Sequence, residues 1–181
     1  MRIHNRFIYL ALPVVLLILA AIPARAFGPD IYLGYSRVGE NTFNPSTPAL
    51  NGLQGAINFG VLPFIGMEAD ISYYGLGASS SVPHTTTYLF GPRVTVGAAG
   101  IHVFGHGLFG GEHSNLPTGQ GPSPIVGNFF EANAFTVAVG GGLDVKVLPL
   151  LAWRVTGDYI QAPSRNTGSH GRFGTGLVVR F

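Results

Sequence analysis

The chain has 181 residues, of which 10% are charged and 46% hydrophobic, with 27 glycines, no cysteine and a formal net charge of +2. So little charge excludes a disordered chain, which needs low hydrophobicity and high charge. It also sits badly with a water-soluble domain, about a quarter of whose residues are charged, and the lack of cysteine excludes disulfides, thiolate metal sites and a cysteine nucleophile.

Residues 1–26 read as a secretory signal peptide. Arg2 and Arg6 form a basic head, and Phe7 to Ala21 is apolar apart from Pro13. Pro23 then breaks any helix, and Ala24 and Ala26 place small residues where a signal peptidase cuts. The apolar run is shorter than the roughly 20 residues of a membrane-spanning helix. Cleavage removes Arg2, Arg6 and Arg25 and leaves seven Lys/Arg against eight Asp/Glu, a net charge of −1. The basic character therefore carries no message about nucleic acid, and none is expected as a partner. Residues 27–181 form one domain.

Eight runs follow, near 30–38, 52–61, 66–75, 85–96, 101–111, 131–146, 151–161 and 171–181. Their polarity alternates with period two, the signature of strands with two different faces. In the second, Leu53, Ile57, Phe59 and Val61 oppose Gln54, Ala56, Asn58 and Gly60. In the third, Met67, Ala69, Ile71 and Tyr73 oppose Glu68, Asp70, Ser72 and Tyr74. The fifth has an ambiguous phase, read with His102, Phe104 and His106 on the polar side. The sixth overlies Gly140-Gly141-Gly142, where a bulge or bend is expected. In the seventh, Leu151, Trp153, Val155, Gly157 and Tyr159 oppose Ala152, Arg154, Thr156 and Asp158. In the eighth, Phe173, Leu177, Val179 and Phe181 oppose Arg172, Gly174, Gly176 and Arg180.

Each run has about the 9–11 residues a tilted strand needs to cross a bilayer. Connections at 62–65, 97–100 and 147–150 are short. Those at 39–51, 76–84, 112–130 and 162–170 are longer and rich in Gly, Pro, Ser, Asn and Thr. Short turns at one end and long loops at the other are the layout of an outer-membrane barrel.

Alternation alone leaves open which face meets water. A soluble lipocalin-like carrier would turn the apolar face inward. Yet this chain has one lysine, Lys146, and its polar faces carry mostly small residues. An eight-stranded barrel has an interior that side chains just fill, so small residues punctuated by long charged ones suit a lumen. Glu68, Asp70, Asp144 and Asp158 balance Arg93, Arg154, Arg172 and Arg180 in number. Glu68 with Arg93, Asp144 with Arg154, and Asp158 with Arg172 also stand at matching heights. Buried charge is tolerable only when paired, so these eight residues are expected to form a lumenal ion-pair network that holds the barrel shut. Aromatic residues near strand ends (Tyr32, Tyr35, Phe59, Tyr73, Tyr88, Trp153, Tyr159, Phe173 and Phe181) are expected at the lipid headgroup level.

The mature chain resembles the small eight-stranded outer-membrane β-barrels of the OmpA transmembrane-domain/OmpX type. The likeness rests on the signal peptide, the eight runs, Phe90-Gly91-Pro92-Arg93 in the fourth, and the tail Gly176-Leu177-Val178-Val179-Arg180-Phe181. The resemblance implies an all-β, antiparallel, up-and-down transmembrane barrel in a bacterial outer membrane. It implies outer-membrane lipids and lipopolysaccharide as surroundings. It also implies that Phe173, Leu177, Val179 and Phe181 are read by the barrel-assembly machinery, with Thr175 a departure from the alternating pattern.

Glu112-His113-Ser114-Asn115 resembles the His-x-Ser-Asn element of outer-membrane lipid A deacylases. That element has one residue between base and nucleophile, whereas His113 and Ser114 are adjacent and would face opposite ways on a strand; in a loop they could converge. His102 and His106 lie about 13 Å apart on a strand, too far for one metal ion. No phosphate loop, dinucleotide fingerprint or nucleophile elbow is present. The expectation is a monomeric barrel that is not an enzyme, has no cofactor or metal, and serves a structural or surface-contact role through its loops. A lipid-modifying enzyme, a small porin and a soluble carrier are the alternatives.

Overall fold

The computed structural model describes residues 28–39, 49–76, 84–116, 130–162 and 167–181. The expected signal peptide, with Ala24 and Ala26, lies outside the described residues, as does most of the loop regions. Eight strands follow in chain order: β1 (Asp30–Val38), β2 (Leu50–Gly60), β3 (Ile65–Tyr74), β4 (His84–Ala98), β5 (Ile101–Leu116), β6 (Phe130–Leu148), β7 (Leu151–Ala162) and β8 (Thr167–Arg180). Each pairs antiparallel with its neighbours in sequence, and β1 pairs with β8 through Ile31↔Val179 and Leu33↔Leu177, closing the barrel. Closure leaves no free sheet edge where all eight strands overlap, which is how a sheet satisfies its backbone polar groups in hydrocarbon.

The period-two pattern sets the faces. Leu33 is 68% exposed and Val139 66%, whereas Arg93 and Arg154 are each 1% exposed. The apolar rows turn outward and the arginines turn toward the axis, which excludes a water-soluble carrier with an apolar interior. Nearly all of the strand-end aromatics face outward, including Tyr35, Phe59, Tyr88, Trp153, Tyr159, Phe173 and Phe181. Tyr32 is the correction: it is 2% exposed. It shares the parity of Ser36 on β1, so it points into the lumen, where the Arg154 guanidinium stands 5.1 Å from its ring.

Strand ends also differ from the sequence reading. β5 runs to Leu116, β6 begins at Phe130 and β8 begins at Thr167. Part of the long 112–130 and 162–170 segments is therefore paired strand, because polar residues in a sheet above the lipid still satisfy their backbone groups by pairing. The bulge expected at Gly140–Gly142 does not occur there. The β5–β6 register is continuous from Leu116↔Phe130 to Ile101↔Val145, and the irregularity against β7 falls between Lys146 and Leu148, beside the turn. The triple glycine instead makes room: a Cβ at Gly142 would come within 2.7 Å of the Phe104 ring. At the β4–β5 turn, Ala99 and Gly100 both have positive φ, 53° and 88°. That is the conformation of a tight two-residue hairpin with type I′ geometry.

Two apolar clusters fill parts of the lumen. Tyr32, Ala56, Ala152 and Val178 lie toward the short-turn end, and Leu89, Leu108, Ala138 and Ile160 toward the loop end. Along β7 the inward order is Ala152, Arg154, Thr156, Asp158, Ile160, so the charged residues occupy the middle layer between the clusters.

Candidate functional site

The charged layer is built from neighbouring strands whose inward positions fall at similar heights. Asp144 on β6 is the register partner of Arg154 on β7, and Asp158 on β7 is that of Arg172 on β8. Arg154 grips Asp144 with two donors, Nε to Oδ1 at 2.7 Å and Nη2 to Oδ2 at 2.9 Å. Arg172 Nε donates to Asp158 Oδ2 at 2.6 Å, and Arg93 Nη1 to Glu68 Oε2 at 2.7 Å. All six side chains are at most 2% exposed. Charge-assisted bonds of this kind, bidentate at Arg154, are the strong class of hydrogen bond.

The pairs are also joined to one another. Asp144 accepts from three arginines, since Arg180 Nη2 stands at 2.7 Å and Arg93 Nη2 at 3.5 Å. Asp70 accepts from Arg172 Nη1 at 2.9 Å, Gln54 Nε2 at 2.6 Å and Ser72 Oγ at 3.1 Å. His106 bridges what remains: Nδ1 lies 3.1 Å from Glu68 Oε1 and Nε2 lies 2.8 Å from Asp158 Oδ1. Contacts therefore run unbroken through Asp70, Arg172, Asp158, His106, Glu68, Arg93 and Asp144, where they branch to Arg154 and Arg180. All eight charged residues singled out in the sequence lie in this one network.

Aromatic rings pack against the cations. Arg93 Cζ sits 3.6 Å above the Phe104 ring, and Arg154 Cζ lies 4.7 Å from the same ring. These contacts spread positive charge over a π face in a desolvated site. Sequence reasoning placed Phe104 and His106 inward but gave neither a role. It puts Gln54 on a polar face without a role, reads Tyr32 as a headgroup-level aromatic and does not single out Asp30. The available signal for His106 was glycine placement. Gly140 is the register partner of both His106 and Asp158, and a Cβ there would collide with Asp158 Oδ1. A glycine between two polar residues on one sheet face lets them meet over the intervening strand.

At the short-turn end the lumen opens into a cavity of about 550 Å³ lined by Asp30, Asn58, Phe64, His102, Arg180 and Phe181 among others. His102 Nδ1 lies 3.1 Å from Arg180 Nη1, and Asp30 Oδ1 lies 3.8 Å from Arg180 Nε. Arg180 thus stands between the cavity and Asp144. Among the described residues, no group of three or more His, Asp and Glu side chains is arranged to hold a metal ion.

The Glu112-His113-Ser114-Asn115 segment lies on β5 and not in a loop. His113 Nδ1 meets Asn133 Oδ1 at 2.8 Å, whereas Ser114 Oγ donates to Glu112 Oε1 at 2.9 Å and meets Thr85 Oγ1 at 3.0 Å. The pleat separates His113 from Ser114, so the convergence that a loop would have allowed does not happen. The tail residues Phe173, Leu177, Val179 and Phe181 share the outward face of the last strand and its end, each substantially exposed.

A closed eight-stranded meander of this kind has solved counterparts. The structure of Neisserial surface protein A (NspA) superposes with a TM-score of 0.60 at 10% identity, covering 85% of this chain and 96% of that one. The chain has the fold of the small outer-membrane β-barrels. Ail, the attachment invasion locus protein of Yersinia pestis, matches with a TM-score of 0.58 at 17% identity over 87% of this chain and 100% of its own. The N-terminal β-barrel domain of Pseudomonas aeruginosa OprF matches with a TM-score of 0.55 at 13% identity over 85% of this chain and 99% of that one. No protein-family model and no curated protein sequence matches the chain.

Proposed function

We propose that this protein is a monomeric integral barrel of a bacterial outer membrane whose lumen is closed by the charged network and whose long loops form its contact surface. The observation that carries this reading is the unbroken chain of side-chain contacts from Asp70 to Arg180, buried as far as Asp144 and ending on the part-buried Arg180. Side chains that span the axis and hold one another leave little room for bulk diffusion in so narrow a barrel. In this reading residues 1–26 are a signal peptide cleaved after Ala26. The outward tail Phe173, Leu177, Val179 and Phe181 is read by the barrel-assembly machinery, and the outer wall is solvated by outer-membrane lipids and lipopolysaccharide. A surface-contact role is supported by the names of two proteins of the same fold, a surface protein and an attachment invasion locus protein. No catalytic role or cofactor is assigned.

Planar-bilayer recording on the purified mature protein tests the closed lumen. The expected result is no steady single-channel current; steady ohmic steps would make it a small porin. Fractionation with heat-dependent gel mobility tests the location, and N-terminal sequencing starting at Phe27 tests the cleavage. Release of acyl chains from labelled lipid A would replace the reading with an enzymatic one.

A further inference from the structure

We propose that His106 is a proton-operated latch that joins the two halves of the lumenal network. The inference rests on the closed-lumen reading and adds a control to it. Among the described residues, Asp70, Arg172 and Asp158 form one ionic group, and Glu68, Arg93, Asp144, Arg154 and Arg180 form the other. His106 joins them by placing one ring nitrogen against each of two carboxylates.

A carboxylate only accepts hydrogen bonds, so two carboxylate partners ask for two N–H donors. Imidazolium has two, and neutral imidazole has one N–H and one lone pair. Loss of the proton turns one of the two contacts from attractive to repulsive and parts the network at this point.

The ionisable groups facing the imidazole are Glu68 from β3, Arg93 from β4 and Asp158 from β7. Arg172 from β8 stands behind Asp158, and β6 presents Gly140 at this height. Both arginines are already held by the two carboxylates that hold His106. Within this layer, then, proton loss from His106 is the change that separates Glu68 from Asp158.

The test is thermal unfolding of the mature protein in lipid vesicles, read by heat-dependent gel mobility, between about pH 6 and about pH 10. The wild type is expected to lose about 5 °C or more in Tm as pH rises through the His106 transition. His106→Gln is expected to start lower and stay flat over that window, and His106→Lys, with a permanent charge, to be flat and nearer the wild-type value. Equal slopes in wild type and His106→Gln would overturn the latch. So would a ¹⁵N NMR signature of a singly protonated His106 ring at about neutral pH, a measurement that stands even if the variants do not fold. Steady conductance at every pH would instead sink the closed-lumen reading, so the two failures are distinguishable.

Discussion

His106 and Asp158 hold each other across a whole strand. Nε2 and Oδ1 are 2.8 Å apart, yet β6 runs between β5 and β7, and the residue it places between the two is Gly140. A side chain at that position would occupy the path of the contact. The absence of one makes a next-neighbour strand pair behave as a direct pair.

Gly140→Ala is therefore expected to destabilise the barrel. Its Cβ would meet Asp158 Oδ1 and lie 2.5 Å from the Gly157 carbonyl oxygen. Overpacking of a filled interior costs about 1–3 kcal/mol. The loss should appear as a lower thermal midpoint, whereas Gly157→Ala, on the lipid side with nothing within 4 Å of the added carbon, should be close to neutral.

Asp144 is the hub of the network, because it holds Arg154, Arg180 and Arg93. Arg154→Met removes one partner, and Asp144 keeps two others. The expected loss is near the lower end of the about 3–5 kcal/mol seen when one member of a buried pair is deleted. Asp144→Leu leaves Arg154 without its carboxylate partner and weakens the hold on Arg93 and Arg180, so it should cost more. Urea unfolding in vesicles of both variants checks the order; an Arg154→Met protein as stable as wild type would remove the network's energetic role.

Ala99 at φ 53° is a non-glycine residue in the left-handed region, followed by Gly100 at φ 88°. The left-handed conformation strains an L-residue by about 1–2 kcal/mol, and Asn tolerates it better than Ala. Ala99→Asn creates the Asn-Gly pair favoured by a type I′ turn. It is expected to raise the thermal midpoint, by an amount corresponding to about 0.5–1 kcal/mol.

Val139 is 66% exposed, which in water would make it replaceable by any polar residue. On the lipid face of a membrane barrel, a charge near the bilayer midplane costs about 2–4 kcal/mol. Val139→Arg should therefore unfold at lower denaturant in vesicles, while remaining much less disturbed in detergent micelles, whose headgroups and water lie closer. Equal stability in vesicles would contradict the outward orientation.

The charged layer shows where sequence information ends. Asp144 and Arg154 flank a short turn, and Asp158 and Arg172 flank the last loop, so hairpin geometry alone puts them opposite each other. Glu68 and Arg93 sit on adjacent strands a few residues from the short-turn end, two register positions apart, within diagonal reach of each other. These pairs are local and legible. Arg180 reaching Asp144 from β8 to β6, and His106 reaching Glu68 and Asp158 on strands two away on either side, are not. They depend on the curvature of the closed sheet and on which inward positions are empty. Tyr32 is ambiguous for a related reason: tyrosine suits a lipid interface as well as a polar interior, and parity against Ser36 decides between them. The strand ends at 112–116 and 167–170 are not legible in the sequence because their polar composition matches a loop, while backbone pairing is indifferent to side-chain polarity.

The sequence by itself determined the number of strands, their antiparallel order, the short-turn end and the two-faced wall. All of these follow from period-two alternation and turn length, which act between residues close along the chain. The tertiary structure alone decided the register in which β1 meets β8, the reach of Arg180 across to Asp144, and that a histidine joins the halves of the network. Those relations are set by distances across the lumen, and no linear spacing encodes them.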